Sequence, residues 1–387
     1  MASGDVDAAV SPRERDVVER ARAFARDHVA SRASGWESRR EHAGATVRLA
    51  CREGLGGLLL PERHGGLGLG LTAAARVFEE LASAHLPFAF SLVVHANLLR
   101  GLSRLGTDAQ IQAHVPALLA GDRIGAFCLT EPGAGSDAAA IATRATRDGD
   151  GWRVDGEKAW VTNGVFADLC CVYAQTDPPQ GARGIAALLV SAGASNVERL
   201  PAEAMLGGHA MGTARLRFNG CPVAAGDVLA APGRGFAAAM AGIDVARVLL
   251  GAMCCGLLRD SLEHAVRYAS TRRAFGRVIA EFQGLQWSLA DVATELAAAR
   301  ALTYETARGV DAGAVDGAAS AHTKKFTTGV ALRGVAACMR AMGAVALRDD
   351  HPLGRHLAAA QIAEYLDGTT GIQNVVITRS LFGKPRG

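Results

Sequence analysis

The sequence predicts an α+β chain: an N-terminal helical domain, a central antiparallel β domain and a C-terminal helical bundle. Two switches in hydrophobic periodicity point to it. Up to about residue 122 the apolar positions recur at helical spacing, over 123–232 they alternate or run in short stretches between Gly, Pro and Asp, and over 233–387 long Ala/Leu-rich segments return. The expected domains are therefore 1–122, 123–232 and 233–387. With 387 residues, 49% apolar and 20% charged, the chain has enough apolar material for cores of this size, and disorder is excluded as its dominant state.

In the first block Ser11 is the expected N-cap of a helix over 11–30, with Pro12 at its first position and Glu14 completing a capping box. Segments 71–85 and 91–106 read as further helices, separated from the first by a glycine-rich loop at 58–70. In the second block Asp148-Gly149-Asp150-Gly151 marks a hairpin, and 169–177, 185–192 and 213–219 read as strands. In the third block the apolar stretch Gly235 to Leu258 holds Asp244 and Arg247 near its middle. Such charges cost ~2.5–3.5 kcal/mol each in lipid, so a buried helix is expected and no membrane partner.

Composition excludes other classes. A net charge of +3 and an aromatic content of 5% leave no field or stacking platform for nucleic acid. The eight cysteines form no Cys-x-x-Cys or Cys/His ligand set, so no metal is expected, and His64, His85 and His95 read as structural. The start lacks the apolar core of a secretory leader; with unpaired cysteines this leads us to expect a cytoplasmic protein.

Four segments carry chemistry. In Phe127-Cys-Leu-Thr-Glu-Pro-Gly-Ala-Gly-Ser-Asp137 a strand runs into a turn whose Gly133 and Gly135 permit close backbone approach to a flat or phosphorylated ligand, with the Thr130 and Ser136 hydroxyls facing one cavity. It is neither a phosphate-binding P-loop nor a dinucleotide fingerprint. In Lys158-Ala-Trp-Val-Thr-Asn-Gly164, residues Trp160 and Thr162 lie two apart, so strand alternation puts both on one face. Thr271-Arg-Arg-Ala-Phe-Gly276 leads to Gln283, and Asp367-Gly-Thr-Thr-Gly-Ile-Gln373 lies near the C-terminus.

In this order, and inside α–β–α blocks, these segments resemble the acyl-CoA dehydrogenase family over nearly the whole chain. The resemblance implies FAD as cofactor. It implies flavin contacts from Phe127, Leu129, Thr130, Gly135, Ser136, Trp160, Thr162 and Thr369, and contacts across a subunit boundary from Arg272, Phe275 and Gln283. A homodimer or homotetramer follows from that sharing. Ser136, Asp244, Arg247, Gly368 and Arg379 resemble the thioester-binding positions. The implied partners are an acyl-CoA or acyl carrier protein thioester and an electron acceptor such as an electron-transfer flavoprotein.

The implied reaction is α,β-dehydrogenation, which needs a carboxylate at the α-carbon. The family's base position holds Asp367, one methylene shorter than the usual glutamate. A second base position, on the helix of Arg247, is closed because it holds Ala246. Glu364, one turn before Asp367, reads as a solvated helix-face residue, and so do Lys324 and Lys325. Further departures from the family pattern are Met339 to Gly343 in place of a Gln-x-x-Gly-Gly loop, Ala358-Ala359 in place of an Arg-Asp pair, and Gly371 in place of a glutamine. Two alternatives stand beside dehydrogenation: another flavin-dependent redox step (oxygenation or α-oxidation) on a carrier-bound acyl group, or a degenerate partner subunit.

Overall fold

The computed structural model describes residues 11–314 and 316–383; the start at 1–10, on which the expectation about a leader rests, and the last four residues lie outside the described residues. The first block holds α1 (Pro12–Phe24), α2 (Ser31–Ser38), α3 (Gly44–Arg52), α4 (Leu71–Leu105) and α5 (Asp108–Leu119). The Ser11 hydroxyl accepts from Glu14 N, and the Glu14 carboxylate accepts from Ser11 N at 2.8 Å, so the capping box forms. The two helices expected over 71–106 are run together as α4. His85 between them has non-helical angles (φ −165°, ψ 104°), two residues before Pro87, which cannot donate into the ladder.

The second block holds β1 (Gly125–Cys128), β2 (Arg144–Asp148), β3 (Gly151–Val161), β4 (Leu169–Gln175), β5 (Ile185–Ser191), β6 (Val197–Ala202), β7 (Ala214–Val223) and β8 (Val228–Ala230). They form one sheet in the order β6-β7-β3-β2-β4-β5-β8, with β1 also paired to β4. The expected hairpin at 148–151 closes β2 on β3. The sheet is not antiparallel throughout, however. β1 runs parallel to β4, from Gly125↔Leu169 to Cys128↔Val172, and Arg144 of β2 pairs with Gln175 of β4 in the same sense. The chain returns between β1 and β4 through the β2–β3 hairpin, so no helical crossover is involved.

The third block holds α6 (Gly235–Thr271), the hairpin β9 (Arg273–Ala274) and β10 (Arg277–Val278), α7 (Gln283–Asp311), α8 (Gly317–Met342), α9 (Pro352–Ala363) and α10 (Thr370–Phe382). One core cluster joins α4 to α6, α7 and α8 through Phe78, Leu81, Leu249, Tyr304 and Val335; a second joins the sheet to α4 and the start of α6 through Leu98, Leu129, Tyr173 and Ala239. By length and composition α4, α6 and the segment Gly317–Leu347 would suffice to cross a membrane; 89%, 78% and 44% of their most apolar windows are buried within the fold.

Candidate active site

The strand-end turn and the Trp160 segment are locked together by a buried ion pair. Lys158 Nζ lies 2.7 Å from Glu131 Oε1 and donates to Leu129 O at 2.9 Å, with side chains 0% and 6% exposed. The Glu131 carboxylate also accepts from Ala142 N at 2.6 Å and Thr143 N at 2.9 Å. Burial would raise the Glu131 carboxyl, but the charge of Lys158 and these donors hold it below its ordinary value. Ala159 N donates to Thr130 O, closing the joint. On the other side Asn163 donates to Ser91 O and Gly125 O, both at 3.0 Å, tying the segment to α4. Gly125 N in turn donates to Nδ1 of His95, whose burial pushes its pKa down to about 4. His95 is thus structural, as is His85, whose Nδ1 accepts from Phe88 N. His64 accepts from Arg63 Nε.

Trp160 and Thr162 do not share a strand face. β3 pairs with β7 at Lys158↔Leu216 and next at Val161↔Ala214, so the stretch holds one residue too many and bulges. Trp160 takes up the excess at φ 55° and turns outward, 58% exposed between buried Ala159 and Val161. Thr162, beyond the end of the strand, is buried at 7%. Thr130 is half-buried where the turn begins, and Ser136 is exposed near its end. Phe127 is half-buried and Leu129 buried.

Asp367 sits in the corner between α9 and α10, at φ 51°, followed by Gly368 at φ 92°. Three helices hold this corner by its carbonyls. Arg247 Nε of α6 donates to Asp367 O at 3.0 Å, Lys324 Nζ of α8 donates to Gly368 O at 2.6 Å, and Gln373 Nε2 of α10 donates to Gly368 O at 2.9 Å. The carboxyl is not pinned in the same way: Oδ2 is buried with no partner among the described residues. Burial pushes the Asp367 pKa up to about 6, with Arg247 and Lys324 opposing the rise and Asp244 adding to it. Thr369 caps α10 through Ile372 N.

Arg247 is 6% exposed and lies in the Asp367 corner; its Nη1 also pairs with Asp244 at 2.9 Å. Burial pushes the Asp244 carboxyl up, against Arg247. Ala246 is buried. Glu364 is not a solvated helix-face residue: it ends α9, accepts from the Thr370 hydroxyl and keeps Oε1 buried and unpartnered. Lys324 likewise departs from the expected solvated face, being 0% exposed, whereas Lys325 is exposed. Arg272, Phe275 and Gln283 cluster on and beside the β9–β10 hairpin, all exposed, with Phe275 at its tip at φ 52° and 94% exposed. Arg379 is exposed on the last turn of α10.

Sequence reasoning missed Glu131, Lys158, Lys324 and Gln373. Two of them carried a signal. Lys158 has the same strand parity as inward-facing Trp152 and Val154. Lys324 follows Ala321 and precedes Thr327, Thr328 and Ala331 on the buried stripe of α8.

A flat, phosphorylated cofactor fits the first two segments. At Gly133 and Gly135 an added Cβ would meet nothing within 4 Å and neither φ is positive, so the chain itself does not demand glycine there. The uncovered Trp160 indole stands beside that turn, joined to it through Lys158 and Glu131.

Comparison with known proteins agrees. Family models match all three blocks: acyl-CoA dehydrogenase N-terminal domain over 11–122, middle domain over 126–221 and C-terminal domain over 233–382. An acyl-CoA dehydrogenase of Bacillus subtilis (strain 168) is 32% identical over 363 residues, 94% of this chain and 96% of that protein. Butyryl-CoA dehydrogenase from Megasphaera elsdenii superposes with a TM-score of 0.93 at 28% identity, covering 96% of this chain and 98% of its own. PigA, solved with FAD and proline, superposes with a TM-score of 0.92 at 26% identity, covering 98% and 100%. Fold, site and relatives together define an FAD-dependent oxidoreductase acting on CH–CH groups of acyl thioesters. The chain belongs to the acyl-CoA dehydrogenase family.

Proposed function

We propose that Asp367 is the general base for α,β-dehydrogenation of an acyl thioester carried on CoA or on an acyl carrier protein. The observation that supports this is the buried, unpartnered Oδ2 on a carboxyl whose backbone is fastened by Arg247, Lys324 and Gln373. A base must be ionised yet free to take a proton; a pKa of about 6 leaves Asp367 mostly ionised near neutrality and still basic enough to act. Asp367 takes the α-proton, and the electron pair left behind forms the α,β double bond as a hydride leaves the β-carbon. When bound, FAD supplies the acceptor for that hydride. Phe127, Thr130, Gly135, Ser136, Trp160 and Thr162 would hold the flavin, and Thr369 its approach from α10.

The shorter base favours a substrate seated closer to the α9–α10 corner than a glutamate would require. The likeness to PigA, solved with FAD and proline, supports an acyl group other than a simple straight chain. Arg272, Phe275 and Gln283 would complete the cofactor site of a second copy, in a homodimer or homotetramer. The exposure of Phe275 (94%) and of nearby Trp287 (64%) supports that reading. An electron-transfer flavoprotein would reoxidise the flavin. Eight free, buried cysteines among the described residues fit a cytoplasmic setting.

The test is anaerobic flavin bleaching across a panel of acyl-CoA and acyl carrier protein thioesters. Bleaching by at least one class, with the α,β-unsaturated thioester as product, is expected. A product that gains an oxygen atom in air, or no bleaching by any thioester, overturns the reading.

A further inference from the structure

Lys324 fastens the Asp367 corner, but its buried charge has no part yet in the proposed chemistry. Its Nζ donates to Glu364 O at 2.8 Å and to Gly368 O at 2.6 Å, the carbonyls that flank Asp367 on either side. No carboxylate lies within ion-pair distance of it among the described residues, although two carboxylate oxygens of the same corner, Asp367 Oδ2 and Glu364 Oε1, are buried and unpartnered. That combination is unusual, because a buried ammonium normally sits directly on a carboxylate. Here both described bonds go to backbone.

We propose that Lys324 is the positioning residue for Asp367: it fixes the left-handed Asp367–Gly368 corner through two carbonyls and supplies a positive charge near the carboxylate without covering its oxygen. This rests on the reading of Asp367 as the base. A direct ion pair would hold the carboxylate ionised but occupy the oxygen that must take the α-proton and lower its basicity. A cation bonded to the neighbouring carbonyls favours ionisation and leaves the oxygen open. The backbone role is equally specific. Two consecutive residues with positive φ, one of them non-glycine, form a strained corner that needs outside support. Arg247 holds its first carbonyl, and Lys324 with Gln373 its second.

The charges around the pair are few. Asp367 is faced by Arg247 and Asp244 from α6 and by Lys324 from α8. Lys324 is faced by Glu364 and Asp367 from the corner and by Cys254 and Arg247 from α6; burial pushes its pKa down to about 8, with the two carboxylates opposing. Lys324 is therefore cationic at neutral pH, where Asp367 must be ionised.

The experiment uses the FAD-loaded enzyme and its Lys324→Met, Lys324→Gln, Lys324→Arg and Asp367→Asn variants. Two readouts are taken between pH 5 and 9. One is the anaerobic bleaching rate with a saturating acyl-CoA that reduces the wild type. The other is the infrared carboxyl band of Asp367, identified by its absence in Asp367→Asn. For Lys324→Met we expect bleaching at pH 7 to slow by roughly 10- to 100-fold. The acid limb of the rate and the carboxyl titration should both move up by about one pH unit, while KM changes less. Lys324→Arg should restore part of both shifts, and Lys324→Gln should not; Lys324→Gln also decides the matter if the Met variant fails to fold. A folded neutral variant with the wild-type acid limb and carboxyl titration overturns the proposal while leaving the base assignment intact. Wild-type bleaching by Asp367→Asn instead overturns the base assignment itself.

Discussion

Glu131 and Lys158 are joined at 2.7 Å inside the β domain, and this one pair welds the glycine-rich turn to the strand end that carries Trp160. Neither residue is exposed enough to touch solvent freely, yet each belongs to a segment that the proposed function assigns to the cofactor.

Breaking this pair should therefore cost both stability and cofactor. Lys158→Met leaves the Glu131 carboxylate buried without its cation, a loss of about 3–5 kcal/mol in denaturant unfolding. The double variant Lys158→Met/Glu131→Gln should recover part of it, since the buried charge goes too. FAD content after purification should fall in the single variant. Unchanged unfolding in Lys158→Met would show the pair to be inert.

Trp160 allows cofactor retention to be separated from folding. Its φ of 55° costs a non-glycine residue about 1–2 kcal/mol, and more than half of its surface makes no contact within the chain. Trp160→Gly relieves the backbone while losing modest packing, so stability without cofactor should stay within about 1 kcal/mol of wild type. FAD should nevertheless bind more weakly, read by equilibrium dialysis. Equal FAD affinity in the two proteins would remove Trp160 from the cofactor site.

The raised pKa of Asp367 makes a prediction of definite sign. A carboxyl that titrates near 6 in the folded chain and near 3.9 when unfolded binds more protons in the native state between those values. Its favourable contribution is complete below about pH 4 and is lost as pH rises through about 6. Wild type should therefore lose Tm relative to Asp367→Asn over that window, and the two curves should run parallel above pH 7. A constant difference from pH 4 to 7 would mean that Asp367 is not perturbed.

Proton abstraction can be isolated from oxidation. With a thioester that has sulfur in place of its β-carbon, no hydride can leave, but the α-proton still exchanges with deuterated solvent where a base is in place. Wild type should catalyse that exchange, and Asp367→Asn should slow it by about 10²- to 10⁴-fold, followed by mass spectrometry. Asp367→Glu should raise turnover on straight-chain acyl-CoAs by restoring the missing methylene. Wild-type exchange in the asparagine variant would shift the search to Glu364.

Phe275 tests the shared cofactor site. It is almost fully exposed at the hairpin tip with a positive φ, so Phe275→Gly should leave the isolated chain as stable as before. Sedimentation should show weaker self-association, and FAD should dissociate faster. Unaltered association and FAD release would take the hairpin out of the interface.

The three-block architecture was legible because periodicity is a local property, and each block announces its own period. The capping box at Ser11 and the hairpin at Asp148 were legible for the same reason. What escaped were features that depend on partners far along the chain. Trp160 and Thr162 sit two apart in a strand-like segment, and only the register against β7 reveals the extra residue that turns one out and the other in. Lys324 reads as half of a polar doublet until the α9–α10 corner is laid over it. Arg247 shows its bond to the Asp367 carbonyl only once α6 and the α9–α10 corner are brought together. The parallel β1–β4 pairing was invisible because nothing in a four-residue strand specifies its partner's direction.

That pairing has a kinetic consequence. Among the described residues β1 pairs with β4 alone, and β4 follows the whole β2–β3 hairpin in the chain. The ladder of β1 is thus a high-contact-order element, and such closures are slow because the entropy of the intervening loop is lost before the hydrogen bonds form. The intervening loop here is the glycine-rich turn and the Trp160 strand themselves. The two segments proposed to hold the flavin are therefore brought together by the same event that seats β1, and a chain caught before that closure would display a formed hairpin with those segments still apart.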